Sequence, residues 1–449
     1  MEGLFEKFHK RIGAVTTDFT RQIMQEIAWT EARLIGIKGA RGVGKTTLLL
    51  QYIKLYLPYQ QGETLYVTLD SLYFNQHGLY ALADSFAKRG GRYLFIDEVH
   101  YYPNWSQELK NIYDDFPELT VVFTGSSMLE ILNARADLSR RAIVYTMGGL
   151  SFREYLSLQK IASIGHYTLE NILQSHTEIA QEITQQIKPF QWFQRYLTAG
   201  YYPYFMESES LYSQKVEEVV RMMLELELPL LRGLENAYVN KIKALLMAIA
   251  ESAPFTPNVS KLSERIGINR NTLIHYLNNL NDVGLTVHLH SKQHGITRLQ
   301  KPEKIYLENT NLMYALNPTN ANIGNVRETF FMNQVSQIHS ISLPAQGDFF
   351  IDQKYTVEIG GKSKSRKQIA TTNDSYTVKD DIEIGTQQTI PLWIFGFLYW
   401  LQIPAVGLLA LDAFKQRFEI AFTKTFCSFS LNNFKEQSRS VFHRFTENL

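Results

Sequence analysis

Gly39, Gly44, Lys45 and Thr46 stand at the fixed places of the pattern G-x-x-x-x-G-K-[ST], within the run Gly39-Ala40-Arg41-Gly42-Val43-Gly44-Lys45-Thr46-Thr47. The chemistry open to such a run is phosphate binding. Glycines let the backbone curl so that successive N–H groups point at phosphate oxygens. The N-terminus of a following helix adds the positive end of its dipole. Lys45 then reaches the β- and γ-phosphates of ATP, and the Thr46 hydroxyl holds Mg²⁺. All nine residues from Gly39 to Thr47 form the expected nucleotide-binding segment. The flanks agree: Ala32-Arg33-Leu34-Ile35-Gly36-Ile37 reads as a strand, and Leu48-Leu49-Leu50-Gln51-Tyr52-Ile53 continues as a helix.

Further along, Arg92-Tyr93-Leu94-Phe95-Ile96-Asp97-Glu98 is an apolar strand ending in two acids. Asp97 is the expected metal residue of a Walker B strand. Glu98 is the expected general base that polarises the attacking water. His100 reads as a packing residue. Val121-Val122-Phe123-Thr124-Gly125-Ser126 ends another buried strand in hydroxyls. Thr124 and Ser126 are candidates to touch the γ-phosphate or orient the water, and a helix-capping turn accounts for either one equally well. Arg140 and Arg141 can supply a guanidinium to transition-state charge, in their own subunit or a neighbour's, or can be a plain surface pair.

Alternating elements must position these residues. Strands are predicted at 33–37, 64–69, 93–97, 119–124 and 142–147, and helices at 45–56, 78–89, 105–113 and 127–137, after an amphipathic lead-in over 1–30. Such alternation predicts a parallel sheet covered on both faces, with ligands at the carboxyl ends of the strands. Residues 150–245 read as helical, with an aromatic stripe at 196–203 assigned to core.

Two later segments carry weaker signals. Val259 to Gly267 and Ile268 to Leu277 read as two short amphipathic helices around a glycine turn, the helix-turn-helix pattern, and Val283 to Leu289 resembles the first strand of a wing. The second helix offers Asn269, Arg270, Asn271, Thr272 and His275 to DNA, or to a protein neighbour. Glu328, Asp348, Glu358 and Lys362 can gather as a carboxylate metal site with a lysine, as phosphodiester hydrolysis needs, or can be ordinary solvated charges.

Composition bounds the rest. A chain of 449 residues holds two or three domains. Its net charge of +1 removes any global argument for nucleic-acid or membrane binding. One cysteine, Cys427, excludes an internal disulfide framework and suits a reducing compartment. The start, Met1 to Lys7, lacks signal-peptide character, so the cytoplasm is the expected location. Pro391 to Leu411 is uncharged and long enough for a membrane span, but Pro391, Gly396, Pro404 and Gly407 favour buried strands and turns.

Asp97-Glu98-Val99-His100-Tyr101-Tyr102-Pro103-Asn104-Trp105-Ser106, Leu109 to Asp114, Phe123 to Ser127 and Ser151-Phe152-Arg153-Glu154-Tyr155-Leu156 together resemble a prokaryotic branch of the AAA+ ATPases. The resemblance runs from about residue 10 to Tyr399 and is most specific over 36–156. It implies an α/β P-loop parallel sheet of AAA+ type at 1–150, a helical lid at 151–245, a winged helix at 246–315 and a C-terminal domain at 316–449 similar to restriction-type nucleases of the PD-(D/E)xK fold. It also implies a defence or toxin–antitoxin-like setting. The nuclease pattern wants Glu-x-Lys, whereas Glu358 is followed by Ile359-Gly360-Gly361 before Lys362.

The expected activity is Mg²⁺-dependent ATP hydrolysis coupled to movement of the lid and C-terminal domains. The alternative is a nucleotide-gated DNA-binding protein or metal-dependent nuclease. Expected partners are ATP, DNA through the winged helix, and a second copy or another protein.

Overall fold

The computed structural model describes residues 1–125, 138, 140–229, 236–252, 254, 256–291, 301–318 and 321–398. Five apolar runs form one parallel sheet: β1 (Leu34–Lys38), β2 (Thr64–Thr68), β3 (Tyr93–Asp97), β4 (Thr120–Gly125) and β5 (Ile143–Thr146). Their order is β2-β3-β4-β1-β5. β1 is buried at every position, which is why it reads as a continuous apolar run instead of an alternating one. β5 is the outer strand, with Ile143 and Val144 exposed. Parallel register aligns Lys38 with Gly125 and Ile96 with Phe123. The carboxyl ends of β1, β4 and β3 therefore lie side by side, and the phosphate loop, Thr124 and Asp97 share one edge.

Helices α1 (Glu2–Ala14), α2 (Lys45–Tyr56), α3 (Leu79–Ala87) and α4 (Trp105–Asp115) accompany this sheet. The predicted lead-in helix over 1–30 is shorter than expected. It stops where Val15 turns extended, before Thr16-Thr17, and a 3₁₀ turn at Gln22–Gln25 follows. The predicted helix at 127–137 lies outside the described residues.

Beyond the sheet come α5 (Phe152–Leu158), α6 (Leu169–Gln186), α7 (Pro189–Ala199), α8 (Tyr212–Met222) and α9 (Asn236–Ser252), with a π-helical turn at Met223–Glu227. The aromatic stripe is core: Tyr196, Tyr201 and Tyr202 are buried. Two short helices, α10 (Val259–Ile266) and α11 (Arg270–Asp282), precede an antiparallel pair, β6 (Thr286–Leu289) and β7 (Lys304–Leu307). Gly267 ends α10 in the left-handed region at φ 69°, and the Asn269 side chain caps α11 by accepting from the Thr272 N–H.

The remainder holds α12 (Thr310–Leu316), α13 (Ile323–Ser336) and a second sheet. Its strands are β8 (Ile341–Ser342), β9 (Phe349–Ile351), β10 (Tyr355–Gly360), β11 (Ser375–Lys379) and β12 (Thr389–Pro391), in the order β12-β11-β10-β9-β8. β8, β9 and β10 run antiparallel, and β10, β11 and β12 run parallel. Aromatic contacts join α13 and the turn after β12 to the helices before them, with ring centroids 4.8 Å apart for Phe193–Phe330 and 5.7 Å for Phe152–Phe397. Pro391 closes β12, and Leu392–Phe397 forms a buried 3₁₀ turn. Among the described residues no helix is long and apolar enough to cross a membrane. Residues 399–449, with the rest of the uncharged segment and Cys427, lie outside them.

Candidate nucleotide site

The chain leaves β1 at Lys38 and enters α2 at Lys45, with Gly44 as N-cap at φ 101°, a backbone conformation that side-chain-bearing residues rarely adopt. Gly39 answers a different constraint: a Cβ there would lie 2.2 Å from the Met147 carbonyl oxygen. Lys45 is buried, and its Nζ donates to the Gly39 and Ala40 carbonyls, each at 3.0 Å. Burial lowers its pKa, while the charges of Glu98, Asp97 and Glu227 oppose that shift.

Asp97 is buried at the end of β3 and collects hydroxyls. Its Oδ2 accepts from Thr46 Oγ1 at 2.6 Å and from the Tyr66 hydroxyl at 2.7 Å. Its Oδ1 accepts from Thr124 Oγ1, which itself accepts from the Glu98 N–H at 3.2 Å. Thr46, Asp97 and Thr124 are therefore brought together as their strand order requires. The Thr46 and Asp97 oxygens are hard donors of the kind that suit Mg²⁺. Tyr66 on β2, with Arg11 donating to its hydroxyl at 2.9 Å, is a member that motif reading missed. Its signal in the sequence is slight, a tyrosine hydroxyl within the strand Thr64-Leu65-Tyr66-Val67-Thr68.

Glu98 sits at φ 54° and ψ 47°, a left-handed conformation that costs a non-glycine residue on the order of 1–3 kcal/mol. Its Oε2 lies 3.3 Å from Nδ1 of His100, whose side chain is buried. Burial pulls the His100 pKa down to about 4, so this imidazole is neutral at pH 7. His100 therefore faces the candidate base, a placement its sequence context did not reveal.

Two arginines reach this loop from different directions. Buried Arg21 donates to the carbonyls of Val43 at 2.8 Å, Gly148 at 3.0 Å and Gly149 at 2.8 Å, and pairs with Glu154 at 3.0 Å. Glu154 also completes a capping box with Ser151 at the start of α5. One guanidinium thus ties the phosphate loop to the exit of β5. Arg41, within the loop, donates to the Tyr101 hydroxyl at 3.2 Å and to Glu227 Oε1 at 3.4 Å.

The arginines singled out from sequence stand elsewhere. Arg141 donates bidentately to Asp114 of α4, at 2.8 and 2.9 Å, and Arg140 is exposed in the turn before β5. Ser126 lies outside the described residues.

In the C-terminal sheet, Glu328 accepts from the Tyr306 hydroxyl at 2.8 Å, and Asp348 accepts from the Ile359 N–H at 2.8 Å. Burial, then the neighbouring Asp348 charge, raises the Glu328 pKa. Glu358 is fully buried, and its partner is Lys364 at 2.8 Å, while Lys362 is exposed. A Cβ on Gly360 would lie 2.5 Å from both Cβ and Cγ of Lys364. The Lys364 stem thus fills the space that a side chain at position 360 would take. Among the described residues, no group of three or more His, Cys, Asp or Glu side chains converges to hold a metal ion.

On α11, Arg270, Asn271 and His275 are exposed, and Thr272 is half-buried.

Comparison with known proteins adds to this geometry. Residues 31–156 match the family described as AAA domain, and residues 190–323 match a domain of unknown function. An uncharacterised protein of Methanocaldococcus jannaschii is 27% identical over 285 residues, 61% of this chain, and the chain spans 60% of that relative's length. Among solved structures, the Walker-type ATPase of Pyrococcus abyssi is similar at 11% identity and a TM-score of 0.36, over 64% of this chain and 91% of that one. AMPPCP-bound DnaA from Aquifex aeolicus is similar at 13% identity and a TM-score of 0.24, over 62% and 86%. The residues that match the AAA domain, 31–156, are those that carry the glycine-rich loop, the acid-tipped β3 and the intervening β4 on one parallel sheet.

Proposed function

We propose that the chain binds ATP·Mg²⁺ and hydrolyses it to ADP and phosphate. The observation that carries this reading is the convergence of Thr46 and Thr124 on Asp97, with Glu98 next in the chain. Thr46 and Asp97 would hold Mg²⁺, which when bound neutralises charge on the phosphates. Lys45 contributes a fixed cation, and the loop N–H groups contribute oriented dipoles. Glu98 accepts a proton from water as the water oxygen attacks the γ-phosphorus and the β–γ bridging bond breaks. Thr124 orients that water, the role also proposed for Ser126. Arg140 and Arg141 are proposed to act on the nucleotide of a neighbouring copy. The test is phosphate release from ATP by the wild-type protein beside Lys45→Ala and Glu98→Gln; equal rates in all three would remove the reading.

The parts following the AAA domain are proposed to be the responders, with α5 to α9 as the lid. The contacts of α5 and α7 with Phe330 and Phe397 support a mechanical link to the second sheet. The arrangement of α10, α11, β6 and β7 supports a winged helix, and exposed Arg270, Asn271 and His275 support DNA as its partner. Protein partners and self-association are further proposals, as is a cytoplasmic setting.

A second reading concerns α13 and β8 to β12. We propose a nuclease-shaped domain that does not cleave phosphodiesters. Lys364 beside Glu358 favours the shape, and Lys362, exposed and two places late for the Glu-x-Lys pattern, is the ground for the silence.

A further inference from the structure

We propose that Arg41 is the guanidinium that meets the terminal phosphate in this chain's own site, and that Glu227 competes with that phosphate for it. The inference rests on the ATPase reading and adds two residues to it. Arg41 is carried by the phosphate loop itself, so wherever the loop wraps a triphosphate, this side chain comes along. Its guanidinium pairs with Glu227 and Tyr101 and stands within the field of Glu98, the candidate base. Arg141, by contrast, is engaged by both oxygens of Asp114.

Charge decides what Glu227 does there. Two cations, Lys45 and Arg41, face three carboxylates, Asp97, Glu98 and Glu227, with His100 neutral. Asp97 is held by three hydroxyls, and Glu98 follows it in the chain. Glu227 is different, because it arrives from the π-helical turn at Met223–Glu227, far along the chain. Single π-turns recur at functional sites, since a small change in winding re-aims one side chain. A γ-phosphate brings further negative charge beside the buried Glu227 carboxylate. It binds Arg41 by displacing Glu227, because two anions cannot share one guanidinium face without strong repulsion. ATP would therefore loosen the Glu227 turn, whereas ADP, lacking the γ-phosphate, would leave the Arg41–Glu227 pair in place. That difference gives the π-helical turn at Met223–Glu227 a means of reading the third phosphate.

The experiment compares Arg41→Ala, Arg41→Lys and Glu227→Gln in the full chain. The readouts are turnover, and titrations of ATP·Mg²⁺ (on a Glu98→Gln background, to prevent hydrolysis) and ADP·Mg²⁺. Arg41→Ala is expected to lower kcat on the order of 10³-fold, as loss of a phosphate-directed guanidinium does. ADP affinity should change less than about threefold, since ADP does not reach Arg41. Arg41→Lys should restore part of kcat, because the charge returns without the planar fork. Glu227→Gln should tighten ATP roughly fivefold or more and leave ADP within about twofold, the scale of one local charge contact. Wild-type kcat in Arg41→Ala, or equal effects of Glu227→Gln on ATP and ADP, would overturn the proposal. The controls separate the two ideas. If Lys45→Ala and Glu98→Gln lose turnover while Arg41→Ala keeps it, only this inference fails. If the wild type does not hydrolyse ATP, the ATPase reading fails, and the ATP-against-ADP titrations still decide the role of Glu227.

Discussion

Arg21 Nε lies 3.0 Å from Glu154 Oε1, and both side chains are buried between the phosphate loop and α5. Burial alone would raise the Glu154 pKa, but the Arg21 charge and hydrogen bond outweigh it and hold the carboxyl below its ordinary value. Removing Arg21 leaves a buried carboxylate without its ion-pair partner and takes a donor from the carbonyls of Val43, Gly148 and Gly149. Arg21→Ala is expected to lower unfolding free energy by about 3–5 kcal/mol in urea titration. The stabilisation from this pair is present above the unfolded carboxyl pKa of 4.5 and is lost as pH falls through the lower folded value. The stability deficit of Arg21→Ala should therefore shrink as pH falls through that range. A deficit that stays constant with pH would mean the pair carries no such linkage.

Lys45→Ala is expected to abolish tight ATP binding, because a cation fixed beside several phosphate charges is removed from a partly dehydrated site. Isothermal titration with ATP·Mg²⁺ checks it, and unchanged affinity with unchanged turnover would refute the phosphate-loop assignment.

Glu98→Gln preserves shape and removes the base. Nucleotide affinity should persist while hydrolysis falls on the order of 10²–10⁴-fold. Asp97→Ala should act differently, weakening Mg²⁺-dependent binding, and a magnesium titration of both variants separates the roles.

Arg140→Ala and Arg141→Ala are expected to lower turnover more than affinity, and to do so through a second copy. Mixing either variant with Glu98→Gln protein should then restore activity, as each supplies what the other lacks. Turnover unchanged across protein concentrations, singly and in the double variant, would place no guanidinium from this turn at any nucleotide.

The C-terminal domain is expected not to cut plasmid, linear or single-stranded DNA in Mg²⁺ or Mn²⁺, with or without ATP. Cleavage that vanishes in both Glu358→Ala and Lys364→Ala would overturn the silent reading and assign Lys364 the lysine role.

Local chemistry accounts for much of this protein. The expected phosphate loop is legible because glycines, a lysine and a threonine sit at fixed spacing between a strand and a helix. Helix α2 spans Lys45–Tyr56 and β3 spans Tyr93–Asp97, as the periodicity had them. Those features depend on neighbours in sequence, which is where propensity and spacing operate. What tertiary structure decided depends on neighbours in space. Tyr66 meets Asp97 only because β2 pairs with β3, and Arg21 holds the loop only because the lead-in chain passes beneath it. Lys364 replaces Lys362 beside Glu358 because the chain turns back after Gly360, where the missing side chain leaves room for its stem. Glu227 reaches Arg41 across a sequence separation of 186 residues, a distance over which no local pattern carries a signal.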